Sequence, residues 1–108
     1  MAWTVTFYNQ RVEDAILTLA PGFVARFLRY AERMEAFGPD LGMPHTRAMS
    51  GGLFELRITA AEGIARVFYC TAVGRRIVVL HQFVKKTSKT PPREMLIARR
   101  RMKDLSHD

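Results

Sequence analysis

The sequence is poor in the side chains that most often bind metals or form covalent cross-links. Its 108 residues include one cysteine, Cys70, and three histidines, and these are scattered along the chain. A structural zinc site needs four clustered ligands, and a disulfide needs two cysteines. The sequence therefore predicts no metal site and no internal disulfide. We expect Cys70, inside the apolar run VFYCTAV, to be a packed core thiol.

Long hydrophobic runs and the common catalytic motifs are also missing. The longest aliphatic run extends only from Ile77 to Leu80, whereas about 20 apolar residues are needed to cross a bilayer. The start of the chain, MAWTVTFYNQ, does not have the pattern of a signal peptide. There is no Walker loop and no G-x-S-x-G motif. We expect a cytoplasmic protein without membrane contact, with residues 1–108 forming a single domain.

Positive charge is present in excess, and it is concentrated near the C-terminus. The formal net charge is +7. Residues 85–103 hold eight basic side chains against one acidic side chain, Glu94, so this segment accounts for the whole net charge. Such a segment favours anionic partners, with nucleic acid first, an acidic protein second and a membrane surface third.

The hydrophobic pattern predicts an α+β fold with the element order β-α-α-β-β-β-α. The predicted elements are a strand at 3–8, helices at 9–19 and 22–37, strands at 53–58, 64–73 and 76–84, and a helix that Thr90 caps. Glycines and prolines predict a loop over 38–52. The three closely joined strands must be antiparallel. We expect a single small antiparallel sheet with two N-terminal helices and the C-terminal helix on one face, and a partly open second face.

Polar residues that alternate with apolar ones should share the open face of this sheet. Glu55 and Arg57 on one strand and Arg66 on the next are placed there by the alternation. For Arg57 alone, a salt bridge on a solvated face is the simpler interpretation. The lysine-rich stretch KKTSK at 85–89 lies beside them. So many positive charges on one face repel one another unless an anion binds there, so a phosphate-binding surface is the better hypothesis for the whole group.

The roles of three further groups stay open at this point. His81 alternates with apolar residues and fits a core or face-lining position, with catalysis as the alternative. His45, close to Arg47 in the predicted loop, is as well placed to reach a site as to lie in water. The run ARRRM at 98–102 fits either a solvated helix face or part of a nucleic-acid surface.

Many cations and few carboxylates suit one reaction, the cleavage of RNA without a metal. The 2′-hydroxyl of the substrate attacks the adjacent phosphate. The enzyme must orient the chain, accept one proton, supply another and stabilise a dianionic phosphorane. Arginine and lysine can provide this stabilisation.

Three stretches carry a resemblance to a known group of proteins. GGLFELR, GIARVFY and RIVVLHQFVKKTSKTP resemble the phage-derived HigB-like branch of the RelE/ParE toxin superfamily, and the likeness extends from about Val5 to the last helix. The resemblance implies a RelE-like fold and the toxin of a type II toxin–antitoxin system. It implies an endoribonuclease without cofactors that cleaves mRNA, usually on the translating ribosome. It also implies a hetero-oligomer with a co-encoded antitoxin, often a helix-turn-helix protein.

The resemblance also implies roles for individual residues. Arg57 and Arg66 would hold the scissile phosphate. The lysine cluster would bind the RNA backbone and take part in proton transfer; its members are Lys85, Lys86 and Lys89. Glu55 would orient an arginine.

The catalytic acid and base stay open, because the C-terminal tyrosine of RelE has no counterpart after Phe83. The candidates are His81, His45, Glu55 and a lysine. The residues expected to bind RNA are His45, Arg47, Glu55, Arg99 and Arg100. A gyrase poison of the ParE type and an RNA-binding domain without catalysis remain as alternatives.

Overall fold

Three helices and five strands make up the computed structural model, which describes residues 2–85 and 90–105. The elements are β1 (Thr4–Phe7), α1 (Gln10–Leu17), α2 (Pro21–Phe37), β2 (Thr46–Ser50), β3 (Leu53–Ala60), β4 (Gly63–Ala72), β5 (Arg76–Lys85) and α3 (Pro92–Leu105). The predicted α+β class and the order of the predicted elements are confirmed. No helix of these residues is long and apolar enough to cross a membrane.

Local signals in the sequence explain the limits of the N-terminal helices. The Asn9 side chain accepts a hydrogen bond from the N–H of Val12 at 3.0 Å and so caps α1. Pro21 opens α2, where a missing N–H removes no helical hydrogen bond. Gly38 ends α2 with a φ of +100°, which a residue without a Cβ adopts readily.

The five strands form one mixed sheet in the order β1-β5-β4-β3-β2. The pairs β3–β4 and β4–β5 are antiparallel as predicted. β1 lies parallel to β5, so the sheet is not purely antiparallel. β2 pairs antiparallel with β3 inside the segment 38–52, and the prediction of a continuous loop there was wrong. This edge strand is short and mostly exposed, so it has no clear alternation of apolar and polar residues, and the glycines and prolines around it favour the prediction of a loop.

The sheet has an apolar core on each face. α1 and α2 cover one face, where Phe23, Phe27 and Ile16 pack against apolar side chains of the sheet such as Leu56 and Ile58. α3 lies on the opposite face, and the prediction that all helices share a face was wrong. Hydrophobic periodicity shows that a helix has an apolar side, but it does not show which sheet face that side covers.

The second face therefore has two parts. α3 packs through Ala98 over buried side chains of β4 and β5, including Phe68, Val78 and Leu80. Beyond α3, toward β2 and β3, this face carries polar side chains. The position of α3 thus separates an apolar core from a polar surface on the same sheet face.

Candidate functional site

Strand pairing places one histidine and two arginines in a row across the polar part of the sheet. The N–H of Arg57 donates to the carbonyl of His45 at 2.8 Å, so His45 lies beside Arg57 at the start of β2. Arg57 is the direct partner of Arg66 across β3 and β4. Arg66 in turn pairs with Phe83 on β5, and Lys85 follows two positions later on the same strand face.

A buried ion pair lies next to this row. Glu55 is 2% exposed and Arg66 is 9% exposed, and Nη1 of Arg66 donates to Oε1 of Glu55. Nη2 of the half-exposed Arg47 lies 3.8 Å from the same oxygen. The alternation correctly assigned Glu55 and Arg66 to this face, but it did not indicate that the two side chains are buried. Burial makes the pair a fixed part of the site, because an unpaired charge in this position would be costly.

Two buried atoms of this pair, Oε2 of Glu55 and Nε of Arg66, have no hydrogen-bond partner among residues 2–85 and 90–105. They belong to opposite members of one ion pair. A small rotation to a two-bond arrangement between carboxylate and guanidinium would satisfy both atoms. The observed hydrogen bond from Nη1 of Arg66 to Oε1 of Glu55 already holds the two groups together.

A cavity of about 90 Å³ opens beside the ion pair. The residues that line it are Met43, Pro44, His45, Thr46, Arg47, Glu55, Arg57 and Arg66. Three arginines and one glutamate thus face the cavity, which gives it an excess of positive charge. The cavity is suited to an anionic group of the size of a phosphate.

The loop before β2 is held in place by hydrogen bonds around the buried Thr46. Its hydroxyl accepts from the N–H groups of Leu41 and Gly42, each at 2.9 Å, and lies 3.2 Å from a carboxylate oxygen of Asp40. The N–H of His45 donates to the carbonyl of Gly42 at 3.0 Å. These bonds fix the backbone that carries His45 at the edge of the cavity.

Lys85 stands on the other side of Arg66 from this loop. Partial burial lowers the pKa of Lys85, and the positive charge of the nearby Arg66 lowers it further. The carboxylate of Glu55 opposes this effect. Lys86 and Lys89, the other members of the predicted lysine cluster, lie outside the described residues.

Other sequence candidates are located away from the cavity. Nε2 of His81 lies 2.6 Å from Oε1 of Glu94 on α3. Arg99 donates from α3 to the carbonyls of Met49 and Ser50 at 3.3 and 3.2 Å. Arg100 is exposed on α3. Their predicted roles in catalysis or RNA binding stay predictions, and His81 and Arg99 have structural contacts of their own.

Sequence reasoning missed Tyr30, which contacts His45. The Tyr30 hydroxyl lies 3.2 Å from Nδ1 of His45, and the two ring centroids are 5.2 Å apart. The helical spacing of Phe23, Phe27, Tyr30 and Met34 would have placed this tyrosine on the inner side of α2. No pattern in the sequence indicates that it meets the loop of His45.

The fold and the site together define a small α+β domain with a cation-lined cavity on a half-open sheet face. A family model described as "Phage derived protein Gp49-like (DUF891)" matches residues 14–103. The chain belongs to this family, which is part of the RelE/ParE-like toxin superfamily. The family is toxin-like and consistent with the toxin of a toxin–antitoxin system. No curated protein matches the chain.

Proposed function

We propose that this protein is the toxin of a toxin–antitoxin system and that it cleaves mRNA on the translating ribosome. The observation that carries the proposal is the convergence of Arg47, Arg57 and Arg66 on one cavity, with Arg66 held by the buried Glu55. The positive charges of these arginines repel one another, and a bound anion in the cavity would relieve this repulsion. A scissile phosphate is the anion that relatives of RelE type, which are endoribonucleases, act on.

In the proposed reaction, the 2′-oxygen of one nucleotide attacks the adjacent phosphorus and the bond from phosphorus to the 5′-oxygen breaks. The products are a 2′,3′-cyclic phosphate and a free 5′-hydroxyl. Negative charge grows on the phosphoryl oxygens in the transition state. Arg57 and Arg66 stabilise this charge because their guanidinium groups are positioned before the substrate binds.

Lys85 is the proposed donor of the proton that the leaving 5′-oxygen needs. Its lowered pKa means that it releases a proton more readily than an ordinary lysine does. Lys85 follows Phe83, the partner of Arg66, by two positions on β5, so it lies on the opposite side of Arg66 from the loop of His45. Lys86 and Lys89 are proposed to bind the RNA backbone.

The proposed antitoxin partner fits the same charge distribution. An acidic segment that lies over the arginines would compete with RNA for the cavity and would gain order on binding. The sequence resemblance suggests that this antitoxin carries a helix-turn-helix domain, and the HigB-like branch remains part of the proposal.

The test is induction of the protein in bacteria, alone and with the neighbouring gene, followed by primer extension on abundant messages. Arg57→Ala is the informative variant because Arg57 is exposed and its loss should not disturb the core. We expect cuts inside translated regions that disappear with Arg57→Ala, with a loss of about 100-fold to 1,000-fold in rate. Arg29→Ala, on the exposed surface of α2, is the matched control and should cleave normally.

Two other results would point elsewhere. Growth arrest without RNA cuts, together with inhibition of purified gyrase, would favour a poison of the ParE type. RNA binding with a steep salt dependence but no cleavage would leave a binding domain.

A further inference from the structure

One side chain that lines the cavity, His45, has no role so far in the proposed reaction. The substrate 2′-hydroxyl must lose its proton to a base. Among the residues lining the cavity, the arginines stay protonated and Glu55 is buried against Arg66. His45 is the remaining titratable group of that lining, and an imidazole can act as a base near pH 7.

The position of His45 is fixed from two directions. Its backbone is bound on one side to Gly42 and on the other to Arg57, at 3.0 and 2.8 Å. Its ring contacts Tyr30, which reaches it from α2 with 3.2 Å between the hydroxyl and Nδ1. Tyr30 belongs to α2, which covers one face of the sheet, and it contacts His45, which lines the cavity on the other face.

The contact with Tyr30 also determines which ring nitrogen can serve the substrate. When the N–H at Nδ1 donates to the Tyr30 oxygen, the lone pair lies on Nε2. After Nε2 takes up a proton, the same hydrogen bond from Nδ1 persists. The tyrosine can therefore hold the imidazole in one orientation through both protonation states.

The geometry across the sheet agrees with an in-line displacement. His45 is located on the β2 side of the arginine pair, and Lys85 on the β5 side. The attacking and leaving oxygens occupy opposite apical positions on phosphorus. A base and an acid on opposite sides of Arg57 and Arg66 meet this requirement.

We propose, on the basis of the proposed ribonuclease function, that His45 is the general base of the reaction and that Tyr30 is the positioning residue that orients it. The proton of the 2′-hydroxyl passes to Nε2 of His45 as the bond from the 2′-oxygen to phosphorus forms. The 5′-oxygen leaves with a proton from the ammonium group of Lys85. Both side chains return to their starting states by exchanging protons with water.

The test measures single-turnover cleavage of mRNA on purified, programmed ribosomes between pH 5.5 and 8.5. The charged and titratable groups near His45 in the described chain are Tyr30, Asp40, Arg47, Glu55, Arg57 and Arg66. The arginines keep their charge throughout this range. If one side chain of the cavity acts as the general base, the wild-type rate should rise with pH across this range.

His45→Gln should lower the rate by about 100-fold to 10,000-fold and remove this rise, with partial rescue by added imidazole. Tyr30→Phe should lower the maximal rate by roughly 10-fold to 100-fold because the base is misoriented, while the concentration of the protein at half-maximal rate stays unchanged. Tyr8→Phe is the matched control, since its hydroxyl binds Asp104 on α3, away from the cavity. Thermal melting of each variant checks that it is folded.

The outcomes separate this inference from the function on which it rests. If Arg57→Ala abolishes cleavage while His45→Gln keeps the wild-type rate and pH profile, the histidine is not the base and the nuclease proposal stands. If Tyr30→Phe behaves like Tyr8→Phe, the positioning role is refuted. A wild-type protein that does not cleave programmed mRNA refutes the nuclease proposal and the inference together.

Discussion

Replacement of Glu55 by glutamine tests whether the cationic site depends on its buried carboxylate. Glutamine keeps the shape of the side chain but removes the charge that balances Arg66. Both residues of the pair are almost fully buried, at 2% and 9% exposure. Glu55→Gln therefore leaves a buried guanidinium beside Arg57 and Arg47 without a counter-charge.

The expected magnitude follows from the burial of the pair. Breaking a buried ion pair by removing one partner typically costs about 3–5 kcal/mol. The second contact, with the half-exposed Arg47 at 3.8 Å, adds less than about 1 kcal/mol because it is screened by solvent. For a chain of 108 residues, each kcal/mol corresponds to about 4 °C in Tm. We thus expect Glu55→Gln to lower Tm by roughly 12–20 °C.

Guanidinium denaturation followed by circular dichroism and by the fluorescence of Trp3, the single tryptophan, measures the free energy of unfolding. Glu32→Gln, on the exposed face of α2, controls for the loss of one negative charge. The double variant Glu55→Leu/Arg66→Met should regain most of the lost stability, because a well-packed apolar pair can replace a buried ion pair. A loss below about 1 kcal/mol in Glu55→Gln, or a double variant no more stable than it, would refute the reasoning.

Two further predictions concern contacts that support the site. Arg99→Met removes hydrogen bonds to Met49 and Ser50 at the end of β2 and should lower the free energy of unfolding by about 1–2 kcal/mol. Unchanged stability with weaker RNA binding in a filter assay would instead support the role in RNA binding expected from the sequence. Burial raises the pKa of Tyr69 well above its ordinary value of 10.0, so its contribution to stability is complete below pH 10 and is lost as the pH rises further. Ultraviolet difference titration of wild type against Tyr69→Phe should show no ionisation of Tyr69 before alkaline unfolding, and a step near pH 10 would contradict this.

Strand periodicity predicted much of the fold because the central strands have one regular face. Leu56 and Ile58 alternate with Glu55 and Arg57, and the structure buries the two apolar residues against α1 and α2. The edge strand β2 escaped prediction because its pairing with β3, and not an apolar pattern of its own, makes it a strand. The location of α3 also depends on which sheet face offers unfilled apolar surface. That information lies in the tertiary arrangement and not in the helix sequence.

The candidate site was predictable in its residue types and only partly in its geometry. Alternation placed Arg57 and Arg66 on one face, and their pairing across β3 and β4 agrees with it. The burial of Glu55 could not be predicted, since it depends on how closely the neighbouring strand and loop cover it. The contact between Tyr30 and His45 joins α2 to a loop 15 positions away, and no periodic signal specifies such a meeting.

The buried carboxylate limits how the proposed antitoxin can inhibit the site. Glu55 already neutralises part of the charge on Arg66, so an acidic antitoxin side chain gains most from Arg57 and Arg47, whose side chains are exposed. Charge on exposed groups is screened by salt, whereas the buried pair is screened much less. If the antitoxin binds mainly through Arg57 and Arg47, its affinity for the toxin should therefore fall as the salt concentration rises, while the toxin stays folded. An antitoxin that binds with the same affinity from 50 to 500 mM salt must instead rely on apolar contacts, and the acidic segment would then not be its main contact with the site.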